Sequence, residues 1–261
     1  MSFELDVSLP EKAKPFGGYM LLKFTTCYDF QKDFLDGKLF FNTSDFFAKC
    51  DDEGRGDSDE GSTFIIDYER PNLVAANLEK IGDRYAIVVR DYTNNPQAYQ
   101  QGTVWDYSQA INRNRKILCM YTMLVDVEKQ FIDPFPDKMG EEFGEYGVLI
   151  LNRQEFFARV LTAIKNDSSY SHLGLGFVDY LPQDKQQGFM DWHPFVKKGK
   201  FDYQKEFRIT FVSSDNRAIK LDLGCSLRDI AVPIMAKDLK EIYFQDGKLL
   251  YPTYKIIEHE E

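Results

Sequence analysis

The sequence predicts a single α+β domain, a strand-rich sheet with a few flanking helices. Three observations predict it. Short runs of bulky, β-prone residues recur along the chain. One stretch, 153–165, carries its apolar residues at helical spacing. Neither an internal repeat nor a clear linker divides the 261 residues, of which 43% are hydrophobic and 15% aromatic, enough for a substantial core.

Residues 1–16 are polar, hold Pro10 and Pro15, and read as an N-terminal arm; 17–261 read as the domain. After Gly17 and Gly18, residues 19–24 form a short apolar strand with one cation, Lys23. Residues 29–35 give one or two helical turns, because Phe30, Phe34 and Leu35 share a stripe, and Gly37 supplies the stop. A strand over 38–42 runs into Thr43, Ser44 and Phe46-Phe47. Residues 51–62 (DDEGRGDSDEGS) are acidic and glycine-rich; they lack calcium-loop spacing and read as a loop. Strands are expected at 64–68 and 85–90 with a helix over 73–80 between them, and 91–109 reads as a long loop or short helix.

The nearly unbroken apolar run 117–125 marks a central strand. Pro134 and Pro136 place a loop at 133–140, and 146–151 reads as another strand. In 153–165, Phe156, Phe157, Val160, Leu161 and Ile164 make one helical face, and Asn152 caps the start. An edge strand is expected at 177–181, and strands at 219–223, 230–234 and 242–244 complete the C-terminal half.

The most informative stretch is 201–212 (FDYQKEFRITFV). From Tyr203 it alternates, with Tyr203, Lys205, Phe207, Ile209 and Phe211 on one face and Gln204, Glu206, Arg208 and Thr210 on the other. The ordinary reading of the second face is a solvated strand surface. The sharper reading is a polar row in a cleft with Glu206 at its centre.

Several chemistries are excluded or poorly supported. A net charge of −10 disfavours broad, salt-driven adhesion to nucleic acid. There is no 18-residue apolar run and no secretory leader, so a cytoplasmic protein without a membrane span is expected. Cys27, Cys50, Cys119 and Cys225 lie far apart and read as reduced core thiols. The three histidines, His172, His193 and His259, have no metal-ligand spacing, and no nucleophile elbow, dinucleotide-binding glycine motif or P-loop is present. What remains is one carboxylate with polar supporters, which suits a reaction with a cationic transition state. Glycosyl transfer from NAD is such a reaction and needs no metal.

The order of short motifs resembles a loosely defined group of bacterial proteins and, through them, the split-sheet ADP-ribosyltransferase fold. The pieces are Lys23-Phe24, residues 37–47, the acidic loop 51–61, Ile117 to Met120, Phe143 to Gly147 and Tyr203 to Ile209 (YQKEFRI). Together they span most of the chain. The resemblance implies that Glu206 is catalytic with Gln204 assisting, and that Lys23, Phe24, Thr43, Ser44 and Tyr28 meet NAD. Lys23 stands where that superfamily usually has Arg or His, and Asn42-Thr43-Ser44 only partly matches its middle motif.

It also implies a toxin or phage-defence effector with a nucleic-acid or protein acceptor and an antitoxin or other restraint. Each residue has a plainer role open to it: Lys23 as a strand-end cation, Thr43 or Ser44 as a turn or helix cap, Tyr28 and Tyr203 as core or rim aromatics, and Arg208 as a surface partner of Glu206 or of a nearby acid, a contact worth little. The basic groups Arg113, Arg115, Lys116 and Lys197, Lys198, Lys200 read as solvated faces or as phosphate-holding residues. Two other functions compete: a non-catalytic interaction protein, and a metal-dependent nuclease using Asp51, Asp57, Glu60 and Glu206.

Overall fold

Bulky alternating residues pair into one antiparallel sheet that carries most of the core. The computed structural model describes residues 18–50, 64–65, 74–81, 84–91, 115–126, 128–181, 188–189, 194–245 and 248–252. The acidic loop 51–62, the arm 1–16 and the stretch 92–114 lie outside them.

In chain order the elements are β1 (Gly18–Thr25), α1 (Tyr28–Leu35), β2 (Lys38–Thr43), α2 (Ser44–Lys49), β3 (Phe64–Ile65), β4 (Val74–Ile81) and β5 (Arg84–Asp91). Then come β6 (Arg115–Asp126), β7 (Phe131–Ile132), α3 (Asp137–Phe143), β8 (Tyr146–Ile150), α4 (Arg153–Asn166), β9 (Tyr170–Phe177), β10 (Asp179–Leu181) and β11 (Gly188–Phe189). The chain continues with β12 (Val196–Lys198), a 3-10 helix (Gly199–Gln204), β13 (Glu206–Ser213), β14 (Ile219–Asp222) and β15 (Ala231–Met235). A second 3-10 helix (Ala236–Glu241), β16 (Tyr243–Gln245) and β17 (Lys248–Leu250) follow.

This is the strand-rich α+β architecture expected. Three local expectations are corrected. Residues 74–81 form a strand paired with β5, not a helix; the alanines and leucine there suit either state, and strand pairing decides. Residues 137–140 belong to helix α3, because Pro136 can precede a helix as readily as fill a loop. The strand expected from 203 begins only at Glu206, since residues 199–204 wind into a 3-10 helix and Lys205 takes φ 40° at the junction.

Nine strands share the main sheet, with β6 as its spine. On one edge, β13 pairs with residues 115–121 of β6 and β9 pairs with the far side of β13. On the opposite edge two strands divide β6 between them. β1 pairs with residues 121–125, continuing to β8 and β15, while β2 pairs with Ile117 and Lys116 and continues to β14. Among the described residues no strand pairs with that edge between Ile117 and Tyr121, so the sheet forks there. Helix α1 forms the connection from β1 to β2 and packs against strands of both arms.

One face of the sheet buries the larger core: Leu21, Phe41, Leu118, Met120, Phe207, Ile209 and Phe211 beneath Phe156, Val160 and Ile164 of α4. Asn152 caps that helix, its Oδ1 accepting from the Glu155 amide at 3.1 Å. The other face carries a smaller cluster containing Leu22, Phe24, Tyr121 and Met123. Residues opposite each other in an antiparallel pair share a face, so Glu206 and Arg208 lie beside Tyr121 and Cys119 on this second side.

Candidate functional site

The row Glu206, Arg208, Thr210 is not a solvated surface. Relative exposures are 6%, 1% and 0%, so both faces of β13 are buried. What covers the polar face is the 194–204 segment: β12 pairs in parallel with β10, and the 3-10 helix then returns the chain to Glu206. Lys197 is thereby brought inside. It is 6% exposed, whereas Lys198 beside it is less buried.

Lys197 Nζ donates to Glu206 Oε1 at 2.6 Å and to Gln204 Oε1 at 2.8 Å. Arg208 Nε donates to Glu206 Oε2 at 2.7 Å, and its NH1 to the Pro194 carbonyl at 2.5 Å. Glu206 thus has a cation on each carboxylate oxygen. Burial alone would push its pKa up, but the Arg208 and Lys197 charges and their hydrogen bonds outweigh it and hold the carboxyl at about 2. The Tyr180 hydroxyl accepts from the Glu206 amide at 2.8 Å, and burial pushes that phenol well above its ordinary range. Cys119, facing Arg208 across the ladder, is pushed up to about 12 by burial and by the Glu206 charge, so it is no nucleophile at neutral pH.

Gln204 connects this cluster outward. Its Nε2 donates to the Tyr203 hydroxyl at 3.2 Å, and that hydroxyl donates to Glu142 Oε2 on α3 at 2.5 Å. Lys138 of α3 stands 4.4 Å above the Tyr203 ring and pairs with Glu142. Lys205, at the junction, pairs with Asp133.

The residues expected to meet NAD distribute around the fork. Lys23 Nζ donates to the Cys119 carbonyl at 3.0 Å, filling the edge of β6 that neither β1 nor β2 pairs. Its charge and that of Glu206 both bear on the Cys119 thiol. Lys23 and Glu206 therefore approach one β6 residue from opposite edges. Phe24 is a core residue, packed against Phe135 and Tyr121. Thr43 takes its plainer role: its Oγ1 accepts from the Phe46 amide at 3.1 Å and caps α2, while Ser44 is buried beside it. Tyr28 is 38% exposed and meets Tyr146 edge-on at the mouth of α1.

Comparison with known proteins finds no matching family model, curated protein or solved structure.

Among the described residues no group of three or more His, Cys, Asp or Glu side chains is placed to hold a metal ion. Asp51, Asp57 and Glu60 lie outside those residues, and Glu206 faces two cations, an arrangement that competes with metal binding. All four cysteines are free, as expected, but they are not the core thiols expected: Cys27, Cys50 and Cys119 are part-buried and Cys225 is exposed. No helix among the described residues is long and apolar enough to cross a membrane.

Sequence reasoning offered Glu206 or a nearby acid as the partner of Arg208 and treated the contact as a weak surface one; the partner is Glu206 and the contact is buried. It missed Lys197 as the second partner, and Tyr180 and Glu142 altogether. The only local signal for Lys197 is its place two residues before the 3-10 turn, flanked by lysines that read as solvated.

Proposed function

We propose that this protein is an NAD-dependent mono-ADP-ribosyltransferase acting as a toxin or phage-defence effector. The observation that carries the reading is an ionised, almost fully buried carboxylate, Glu206, at the first position of a strand beside the fork in the sheet. In the transfer, the bond between nicotinamide and ribose C1′ breaks with its electron pair leaving on the nicotinamide nitrogen. The ribosyl cation is then attacked at C1′ by an acceptor that gives up a proton. Glu206 supplies the negative charge that stabilises the cation. A carboxylate accepts about four hydrogen bonds, and Lys197 and Arg208 use two, which leaves capacity for a ribose hydroxyl. Gln204, fixed by Lys197 and Tyr203, is the residue beside Glu206 that would orient the acceptor. A nucleic acid or a protein serves as acceptor, and an antitoxin or other restraint protects the host.

A second reading rests on the same contacts. With a cation on each oxygen, Glu206 also makes a lock between β12 and β13 in a non-catalytic interaction protein.

Nicotinamide release from NAD by the full chain separates the two. Release is expected from the wild type, with Glu206→Gln at least about a hundredfold slower and Glu206→Asp folded but slow. Thermal melts of all three guard against loss of fold. No release from a folded wild type, or an undiminished rate in a folded Glu206→Gln, would leave the lock as the better account.

A further inference from the structure

The segment that buries Glu206 is a separate strap with few ties to the sheet. Over residues 196–205, β12 pairs with β10 alone among the described residues, at three positions. The 3-10 helix that follows has poorer hydrogen-bond geometry than an α-helix. At its end Lys205 takes φ 40°, the left-handed region that a residue with a Cβ enters at a cost. Two part-exposed contacts fasten the strap on its outer side. The Tyr203 hydroxyl donates to Glu142 Oε2, and Lys205 pairs with Asp133, their side chains 29% and 19% exposed. Inside, Phe201 is the apolar anchor, with the Lys197 and Lys200 ammonium groups 4.9 Å and 4.6 Å from its ring centre. The upstream end is pinned, because the Pro194 carbonyl accepts from Arg208 and the Phe195 carbonyl from the Asp179 amide at 2.7 Å.

These contacts make the closed strap the resting form, and in it Glu206 is shut away. The Lys197 ammonium stands 2.6 Å from Oε1, and Arg208 holds Oε2. A substrate hydroxyl or a developing positive charge has to meet those same oxygens. Lys197 thus takes the place, and supplies the charge, that a substrate would bring. Arg208 differs: it belongs to β13 itself and stays beside Glu206 when the strap lifts.

We propose that residues 196–205 are an autoinhibitory strap with Lys197 as its plug, hinged at Lys205, and that the strap lifts before a substrate meets Glu206. The gating of activity rests on the transferase reading; the lifting of the strap does not. The left-handed backbone at residue 205 is relaxed by lifting, and Gln204, one residue from that hinge, is displaced least.

The test is hydrogen–deuterium exchange of the full chain, read on peptides of the strap and of β13, alongside nicotinamide release from NAD. Wild type, Asp133→Asn and Lys197→Met are compared, with a melting curve for each. In the wild type the strap amides exchange faster than those of residues 207–212. Asp133→Asn removes one outer fastening and leaves every Glu206 contact in place. Strap exchange and nicotinamide release then rise by the same factor, about two- to fivefold, as loss of a part-exposed ion pair implies. Lys197→Met removes the plug, and release rises about tenfold or more.

Strap amides as slow as those of β13 overturn the proposal whatever the activity. Faster strap exchange in Asp133→Asn without faster release from an active enzyme overturns it too. So does a folded Lys197→Met that releases no nicotinamide while the wild type does, since Lys197 then assists the reaction. If Lys197→Met does not fold, Asp133→Asn decides alone. Strap exchange that quickens in Asp133→Asn, with no nicotinamide released by any of the three, keeps the lifting strap and sinks the transferase.

Discussion

Glu206 keeps its negative charge in a place almost without water because Lys197 and Arg208 each meet one of its oxygens. Its folded-state pKa of about 2 lies below the ordinary 4.5, so ionisation adds stability above about pH 4.5 that is lost as the pH falls towards 2. Glu206→Gln should cost about 3 kcal/mol or more at pH 7, because two cations are left without their partner. The gap between wild type and variant should narrow as the pH falls through that window. Urea unfolding at pH 7, 4 and 3 measures it, and a gap that stays constant would mean the carboxylate is not ionised in the fold. The alternation of Glu206, Arg208 and Thr210 with Phe207, Ile209 and Phe211 was legible in the sequence. Their burial was not, because a polar alternate face normally means solvent, and only the return of 194–204 over it reverses that.

At the scale of elements, the junction of α1 and β2 shows how close approaches fix the arms of the fork. Gly37 follows α1 with φ +82°, and a Cβ there would lie 2.0 Å from the Cys225 carbonyl oxygen. Gly224 also has positive φ, +69°, but nothing stands within 4 Å of a Cβ. Gly37→Ala should therefore cost clearly more than Gly224→Ala, about 3 kcal/mol or more against about 1 kcal/mol, since only the first adds a collision to the backbone strain. Chemical denaturation of the two variants decides it; equal losses would remove the close approach as the cause.

Helix α4 was readable because its stripe and its Asn152 cap are local features. The strand β9 was largely missed, since Gly174 and Gly176 break its alternation, and the reason for them, the Phe195 ring packed alongside, comes from a distant segment. Lys197 went unrecognised for the same reason: one lysine of three turns inward, and the β10–β12 pairing that turns it is not written in its neighbours.

For the whole molecule, β6 is a spine with two arms on one edge and β13 on the other. The apolar run from Ile117 announced a central strand, and the strand-rich α+β architecture followed from the pattern of short runs. The fork did not follow from residue patterning, because it depends on where β1 stops and β2 begins along β6. It brings Lys23 and Glu206 to opposite edges of Cys119, which sequence separation conceals.

The polar face sets Lys197, Arg208 and Arg115 against one Glu206, a locally positive strip inside a chain of net charge −10. On the transferase reading, a polyanionic ligand would be repelled at long range by the net negative charge and attracted only close to the strip. Added salt damps the distant repulsion more than the sheltered attraction. On that reading the bimolecular association rate of ADP-ribose, followed by stopped flow, should rise between 20 and 200 mM salt, as the screening length falls from about 20 Å to about 7 Å. A decline over that range would show that the outer field does not oppose entry.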